Sequence, residues 1–377
     1  MSARVLFAGG GTGGHLYPAL NLGEAVKRAD PEGEVFFVGA QRGVESRVLP
    51  EKGVAHALLP LEPIRRAQPL QNWRLFPSMF NSLVGLRRIF GAFRPDLVVG
   101  TGGYASGPAA LWALLRGVPV ALQEQNSYPG FVTRKLAGRV RQLHLAFPEA
   151  RKYLKPGKHT EVFEYGNPIQ QPDFSVNRAE ARQRFGLGGG IVCLVTGGSQ
   201  GARAVNEALL ADIRAVEEGR LEAPPPGFEI LWATGTANYD ALSARLGEIG
   251  RPAWVKALPY IQDMPGALAS ADFAVARAGA MTIAELTAWG IPSIMVPLPT
   301  AAANHQHHNA VALADAGAAL MLSERDLGLG RLWGDMMALA RDDARRAEVA
   351  AKAKARGRPD AADRIAAELL RLTGTKR

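Results

Sequence analysis

The residues that could do chemistry in this chain stand in short glycine-rich turns, each directly after an apolar run. His15 ends the first, Ala8-Gly9-Gly10-Gly11-Thr12-Gly13-Gly14-His15, which follows Val5-Leu6-Phe7. A histidine in the first turn of a helix meets the positive end of the helix dipole, which disfavours imidazolium. A neutral imidazole there is fit to take a proton as a general base. The turn itself aims backbone N–H groups at an anion. A second turn, Thr196-Gly197-Gly198-Ser199-Gln200-Gly201-Ala202-Arg203, follows Ile191–Val195 and offers the same device. Two such turns imply two α/β domains facing each other across a ligand cleft.

Further candidates follow other apolar runs. Gly100-Thr101-Gly102-Gly103-Tyr104-Ala105-Ser106-Gly107-Pro108 comes after Leu97-Val98-Val99, with Ser106 placed to cap the next helix and Pro108 in its first turn. Gln123-Glu124-Gln125-Asn126-Ser127-Tyr128-Pro129-Gly130 comes after Val118–Leu122. In a parallel sheet these loops converge on one rim. In the second half, the small residues of Ala276-Arg277-Ala278-Gly279-Ala280-Met281 let the backbone approach a ligand. Glu285, in the following helix, could accept from both hydroxyls of a ribose. Asn304-His305-Gln306-His307-His308-Asn309 opens another helix. Its histidines lack a carboxylate at a matching step, so no metal is expected. The chain has no Asp-x-Asp pair to hold a cation. Helix dipoles and backbone amides are left to stabilise a leaving diphosphate.

The first turn is not a standard nucleotide clamp. Gly9-x-Gly11-x-x-Gly14 fits a dinucleotide fingerprint, but the strand ending near Val38 runs into Gly39-Ala40-Gln41 with no acid for a ribose. His15 stands where a phosphate-binding loop would have lysine.

Alternating apolar and helical stretches must position these residues. Strands are expected at 4–8, 35–38, 97–100, 119–122 and 142–146, then at 191–196, 228–233, 272–276, 292–296 and 318–321. Helices are expected at 15–29, 42–52, 77–93, 106–116 and 129–138, then at 201–216, 238–248, 262–269, 280–289 and 305–315. This alternation means parallel sheets. The fold class is α/β, with two Rossmann-like doubly wound domains, 1–165 and 166–358, joined near Tyr165-Gly166-Asn167-Pro168. Residues 359–377 hold a helix able to pack back on the first domain.

The single cysteine, Cys193, excludes an internal disulfide and suits a reducing compartment. No signal peptide and no membrane span are expected. The net charge of +9 is one-sided: residues 1–165 carry 21 Lys and Arg against 12 Asp and Glu, and the rest carry 23 of each. The first half therefore calls for an anionic partner. Between Ile64 and Arg94, Arg65, Arg66, Arg74, Arg87 and Arg88 alternate with Trp73, Phe76, Met79, Phe80 and Leu83. Apolar side chains beside arginines fit an anionic membrane surface; a packed helix with a solvated charged face reads the same way. No stacking motif supports nucleic acid.

GGGTGGHLYPA at 9–19, GTGGYASGPA at 100–109, QEQN at 123–126, YGNP at 165–168, TGGSQGA at 196–202, RAGAMTIAE at 277–285 and NHQHHNA at 304–310 occur in this order over nearly the whole chain. In these the chain resembles the bacterial lipid-linked muramyl-pentapeptide N-acetylglucosaminyltransferase family, of the GT-B fold. The resemblance implies inverting transfer of N-acetylglucosamine from UDP-N-acetylglucosamine to the C4 hydroxyl of undecaprenyl-diphospho-N-acetylmuramoyl-pentapeptide, without a cofactor. It implies His15 as base and donor contacts from Thr12, Gly13, Gly14, Asn126, Ser199, Arg277, Ala280, Met281, Glu285, His305 and Gln306. Acceptor contacts fall to Gly11, Tyr104 and Ser106, and membrane contact to Arg65, Arg66, Trp73, Phe76 and Phe80. The implied place is the cytoplasmic face of the inner membrane, with other cell-wall synthesis proteins as partners. The chain departs from the family pattern at Gln170, where many members have arginine, and at His305, where glutamine is common. A UDP-sugar epimerase, or a transferase with another acceptor, is the alternative.

Overall fold

The computed structural model describes residues 2–62, 76–198 and 201–374. Arg65, Arg66, Trp73 and Ser199 fall outside that set, as does the side chain of Phe76. The chain divides into two compact units, Met1–Gln171 with Pro359–Arg377, and Pro172–Arg358.

The first unit is built on a seven-stranded parallel sheet. Its strands are β1 (Arg4–Gly9), β2 (Glu34–Ala40), β3 (His56–Leu59), β4 (Leu97–Gly102), β5 (Val120–Glu124), β6 (Gln142–Leu145) and β7 (Glu161–Phe163). Helices α1 (Gly13–Ala29), α2 (Glu45–Glu51), α3 (Phe76–Phe93), α4 (Gly103–Leu115) and α5 (Phe131–Leu136) connect them. The order β3-β2-β1-β4-β5-β6-β7 reverses direction between β1 and β4. Ligands of open α/β sheets bind beyond the strand C-termini at such a switch point. Val5 pairs with Val35 on one side and Leu97 on the other, and the β1–β4 register shifts between Ala8 and Gly9, where the first glycine turn begins. Two apolar layers cover the sheet. One holds Leu6, Val98, Leu122, Leu143 and the buried face of α4; the other holds Phe7, Val99 and Ala121 against α1.

The second unit repeats the plan with six parallel strands in the order β10-β9-β8-β11-β12-β13. These are β8 (Val192–Thr196), β9 (Glu229–Ala233), β10 (Val255–Leu258), β11 (Phe273–Ala276), β12 (Ser293–Met295) and β13 (Leu320–Met321). Their helices are α6 (Arg178–Arg184), α7 (Arg203–Glu217), α8 (Thr236–Glu248), α9 (Met264–Ser270), α10 (Ala280–Trp289), α11 (His305–Asp315), α12 (Arg331–Arg341) and α13 (Asp343–Arg356). The switch point lies between β8 and β11. Cys193 is fully buried within the core, and burial pushes its thiol up.

The join differs from the sequence expectation. It falls after Gln171 rather than near Tyr165, because Asn167 and Ile169 are buried in the first unit (3% and 2% exposed) and Asn167 is hydrogen-bonded there. The last helix, α14 (Ala361–Leu372), belongs to the first unit and lays Ala362, Ile365, Ala366 and Leu369 against the apolar layer that includes α1.

Candidate active site

β1 delivers the chain into Gly9–Thr12, and α1 starts at Gly13, so His15 falls in its first turn. The imidazole is half-buried. Its Nδ1 lies 3.0 Å from Gln125 Oε1 beyond the end of β5, and its carbonyl accepts from Thr101 Oγ1 on β4 at 2.8 Å. Nε2 has no partner among the described residues. Gly102 and Gly103 make room for the ring. Both have positive φ, +99° and +72°. A Cβ on Gly102 would stand 2.7 Å from Nδ1, and one on Gly103 would collide with the carbonyl of Gly10. Only glycine satisfies backbone and ring together.

The same two glycines overturn the expected cap at Ser106. α4 begins at Gly103 with Gly102 as its N-cap, so Ser106 and Pro108 lie inside the helix. Ser106 is fully buried, and its hydroxyl has no hydrogen-bond partner and no access to a ligand.

The first glycine turn differs from expectation in what fills it. The N–H of Gly11 donates to both oxygens of Glu45 at 3.0 and 2.9 Å, and the N–H of Ala40 donates to Glu45 Oε1 at 2.9 Å. Glu45 is completely buried. A Cβ on Gly10, Gly39 or Gly43 would strike its side chain. Part of the anion-binding capacity of the turn is thus taken by an internal carboxylate. What remains for a ligand is the N–H of Gly13 and of Gly14, which no described residue accepts, at the positive end of α1. The exposed Thr12 caps α1 without a side-chain bond. Tyr104 lies over Gly11; burial, then the charges of Glu45 and Glu62, hold its phenol protonated to higher pH than usual. Half-buried Asn126 donates its N–H to Glu124 Oε1 at 3.1 Å, which holds it beside Gln125.

In the second unit the candidate residues follow β8, β11 and β12, three neighbouring strands ending on one edge. α7 opens with Ala202 as N-cap, after Gly201 (φ +71°) packs against the carbonyl of Thr234. Arg277 is held fast: it pairs with Glu324 at 2.5 Å and donates to the carbonyls of Val296 and Pro297 at 3.2 and 3.4 Å. It ties the loops after β11 and β12 together. Ala280 and Met281 form the half-buried start of α10 behind Gly279.

Glu285 projects from α10. Desolvation pushes its carboxyl up to about 7. The residue is half-buried, and its carboxyl has no partner among the described residues. A desolvated, unpaired carboxyl is a group waiting for hydrogen-bond donors. Gln306 Oε1 accepts from Leu298 N at 2.9 Å, and His305 Nδ1 lies 2.7 Å from the carbonyl of Ala302. Ahead of them Ala303 and Asn304 both adopt left-handed backbone, φ +51° and +55°. This is strain of about 1 kcal/mol each, of the sort concentrated at functional loops. Among the described residues no group of three or more His, Cys, Asp or Glu could hold a metal ion.

Sequence reasoning missed Glu45 and Glu324, and it named the loops of Thr101, Gln123 and Gln125 without giving those residues a role. The signal for Glu45 is present, namely glycines at 39 and 43 close to one acid.

The chain is similar to known proteins from end to end. Residues 5–145 match the glycosyltransferase family 28 N-terminal domain and residues 192–365 its C-terminal domain. It is 36% identical over 363 residues to the UDP-N-acetylglucosamine–N-acetylmuramyl-(pentapeptide) pyrophosphoryl-undecaprenol N-acetylglucosamine transferase of Acetivibrio thermocellus, covering 96% of both chains. It is 40% identical over 370 residues to that of Salinibacter ruber, covering 98% of this chain and 96% of the relative. Among solved structures, Acinetobacter baumannii MurG superposes with a TM-score of 0.74 at 28% identity, over 98% of this chain and 99% of that one. A putative UDP-N-acetylglucosamine 2-epimerase from Listeria monocytogenes superposes at 0.65 with 14% identity, over 97% and 95%, which is a likeness of fold alone. The two parallel-sheet domains are those of the GT-B fold.

Proposed function

We propose a function from one premise: the chain belongs to the family of UDP-N-acetylglucosamine–N-acetylmuramyl-(pentapeptide) pyrophosphoryl-undecaprenol N-acetylglucosamine transferases. It is a glycosyltransferase of peptidoglycan synthesis. It moves N-acetylglucosamine from UDP to the C4 hydroxyl of the lipid-linked muramyl-pentapeptide, with inversion. The end-to-end likeness carries this reading and sets aside the epimerase, whose resemblance stops at the fold.

The first unit supplies the base. His15 Nε2, the unpartnered imidazole nitrogen, takes the proton of the C4 hydroxyl as that oxygen bonds to C1 of the donor sugar. The bond from C1 to the β-phosphate oxygen breaks, and its electron pair leaves with UDP. The free N–H groups of Gly13 and Gly14 supply oriented dipoles for phosphate charge. Tyr104, a phenol kept neutral, and Asn126 are placed to hydrogen-bond substrate beside His15. Gly11 contributes close approach, since its own N–H is occupied by Glu45.

The second unit supplies the nucleotide contacts. Glu285 accepts from the ribose hydroxyls, and the small side chains at the start of α10, after Ala278 and Gly279, let the nucleotide approach. Gln306 and His305 lie toward the donor sugar, and Ser199 takes the diphosphate. Arg277 acts through Glu324 and the two carbonyls it holds.

The lipid-linked acceptor brings the enzyme to the cytoplasmic face of the inner membrane, as a peripheral protein. No helix among the described residues is long and apolar enough to cross a membrane. Support comes from α3, where Met79 and Phe80 are 50% and 67% exposed beside exposed Arg87 and Arg88. Neighbouring α4 adds the exposed Leu111 and Leu115. Arg65, Arg66, Trp73 and Phe76 are assigned to membrane contact by sequence alone.

The test is release of UDP from UDP-N-acetylglucosamine in EDTA, with and without a short-chain lipid-linked muramyl-pentapeptide. Acceptor-dependent release in chelator is expected. Acceptor-independent conversion of the donor would overturn the reading.

A further inference from the structure

Behind His15 a chain of three side-chain amides runs into the interior of the first unit. Gln125, Gln123 and Asn167 are 2%, 1% and 3% exposed. Chemistry fixes the direction of each bond. Gln125 Nε2 faces the carbonyls of Thr101 and Gln123 at 2.7 and 3.1 Å, and also Gln123 Oε1. Turned over, the amide would set an oxygen against three oxygens, with no proton among them. Gln125 therefore presents Oε1 to His15 Nδ1, 3.0 Å away. That oxygen can only accept, so the proton of the bond is on Nδ1 and the lone pair of the neutral ring is on Nε2. Gln123 Nε2 donates in turn to Asn167 Oδ1 at 3.1 Å, and Asn167 Nδ2 donates to the main-chain oxygen of Gln125 at 3.1 Å. The bonds close a loop around Gln125 that leaves its amide a single orientation.

We propose that Gln125 is a positioning residue for the transfer reaction: it fixes the tautomer and orientation of His15 so that Nε2 bears the free lone pair, with Gln123 and Asn167 holding Gln125. This rests on the reading of His15 as the base. Free histidine favours the Nε2–H tautomer, which carries its proton on the wrong nitrogen for this task. A carboxylate in the place of Gln125 would also accept from Nδ1, but its charge would stabilise imidazolium and keep the base protonated to higher pH. A buried neutral amide sets the tautomer without that penalty.

The test uses the full chain and four proteins: wild type, His15→Ala, Gln125→Met and Gln125→Glu. Gln125→Met keeps length and volume but removes the acceptor. It should lower kcat by about 100-fold, as expected for a misdirected tautomer, with KM for UDP-N-acetylglucosamine within about twofold of wild type. Gln125→Glu restores an acceptor toward Nδ1, and its second oxygen, facing the same three oxygens, holds a proton and donates as Nε2 did; it should recover most of kcat. Long-range 1H–15N spectra, with the His15 signal assigned by its loss in His15→Ala, should show the Nδ1–H tautomer in wild type. The same signal should report mixed tautomers in Gln125→Met. An Nε2–H signal in wild type, an unchanged kcat in Gln125→Met, or a kcat in Gln125→Glu no higher than in Gln125→Met would each overturn the proposal. If His15→Ala loses activity while Gln125→Met keeps it, positioning alone falls. If His15→Ala keeps its kcat, the base reading falls and the proposal with it.

Discussion

Glu285 shows what a single residue can report about donor binding. Its carboxyl is raised to about 7 by desolvation, so below that pH the empty site holds it neutral. Ribose hydroxyls donating to it would favour the charged form and bring its pKa down. Binding then releases a proton, and affinity must rise with pH until the carboxyl is ionised without help. Between pH 6 and 8 the dissociation constant for UDP-N-acetylglucosamine should fall about tenfold in wild type. Glu285→Gln should bind more weakly and show no slope; calorimetric titration at several pH values would distinguish the two. At this scale the sequence places a residue where its neighbours are small: His15 after a glycine turn stands in the first turn of α1, and Glu285 after Ala-Gly-Ala stands on α10. It is opaque where function depends on partners far along the chain. Gln125 lies 110 positions from His15 and Asn167 another 42 from Gln125, and nothing in either segment names the other. The ion pair of Arg277 was hidden for the same reason: its partner Glu324 comes from a segment that carries no motif.

Among the elements, central strands announce themselves as continuous apolar runs because both faces are covered. Edge strands β3, β7 and β10 escaped because they are short and half-exposed, and nothing in their composition separates them from loops. α12 and α13 lay unread past the last motif. Helix starts shifted for local reasons, as at α4, where two left-handed glycines begin the helix before Ser106 could cap it. On β6, His144 is wholly buried, held by Gln142 Oε1 at 3.0 Å and stacked on Phe163, and burial pushes its imidazole down to about 3. The unfolded chain takes up this proton near pH 6.5 and the folded chain does not. Stability contributed by the neutral ring is therefore full above pH 6.5 and lost as pH falls below it, at about 1.4 kcal/mol per unit. From pH 7 to 5 wild type should lose about 2 kcal/mol more unfolding free energy than His144→Gln, measured by urea titration. On α3, Met79→Ser with Phe80→Ser removes two exposed side chains and should leave stability within about 0.5 kcal/mol. The same variant should bind anionic vesicles several-fold more weakly in co-sedimentation; unchanged partitioning would remove α3 from the membrane surface.

For the molecule as a whole, the two-fold plan was readable from the two glycine turns, and the surplus of positive charge from its confinement to the first half. The site of the join was not, since Gly166-Asn167-Pro168 reads as a linker until Asn167 is seen hydrogen-bonded inside the first unit. Spacing predicted the last helix, but not which surface it meets. Ala362, Ile365, Ala366 and Leu369 are buried in the apolar layer of α1. Two large aliphatic side chains alone contribute about 3–6 kcal/mol by burial, which rivals the net stability of a domain. A chain ending at Arg358 should therefore lose amide-exchange protection in β1, β4 and α1 by about 1000-fold while β8, β9 and β11 keep theirs. Equal protection throughout would contradict this account.

That closing helix also has a meaning in time. A ribosome makes residues 1–171 before Pro172–Arg358, and Pro359–Arg377 after both. The second unit is continuous in sequence and can fold as soon as it emerges. The first must wait, its α1 layer uncovered, until the whole of its neighbour has been synthesised. The unit that holds His15 is begun first and completed only after its neighbour has been made.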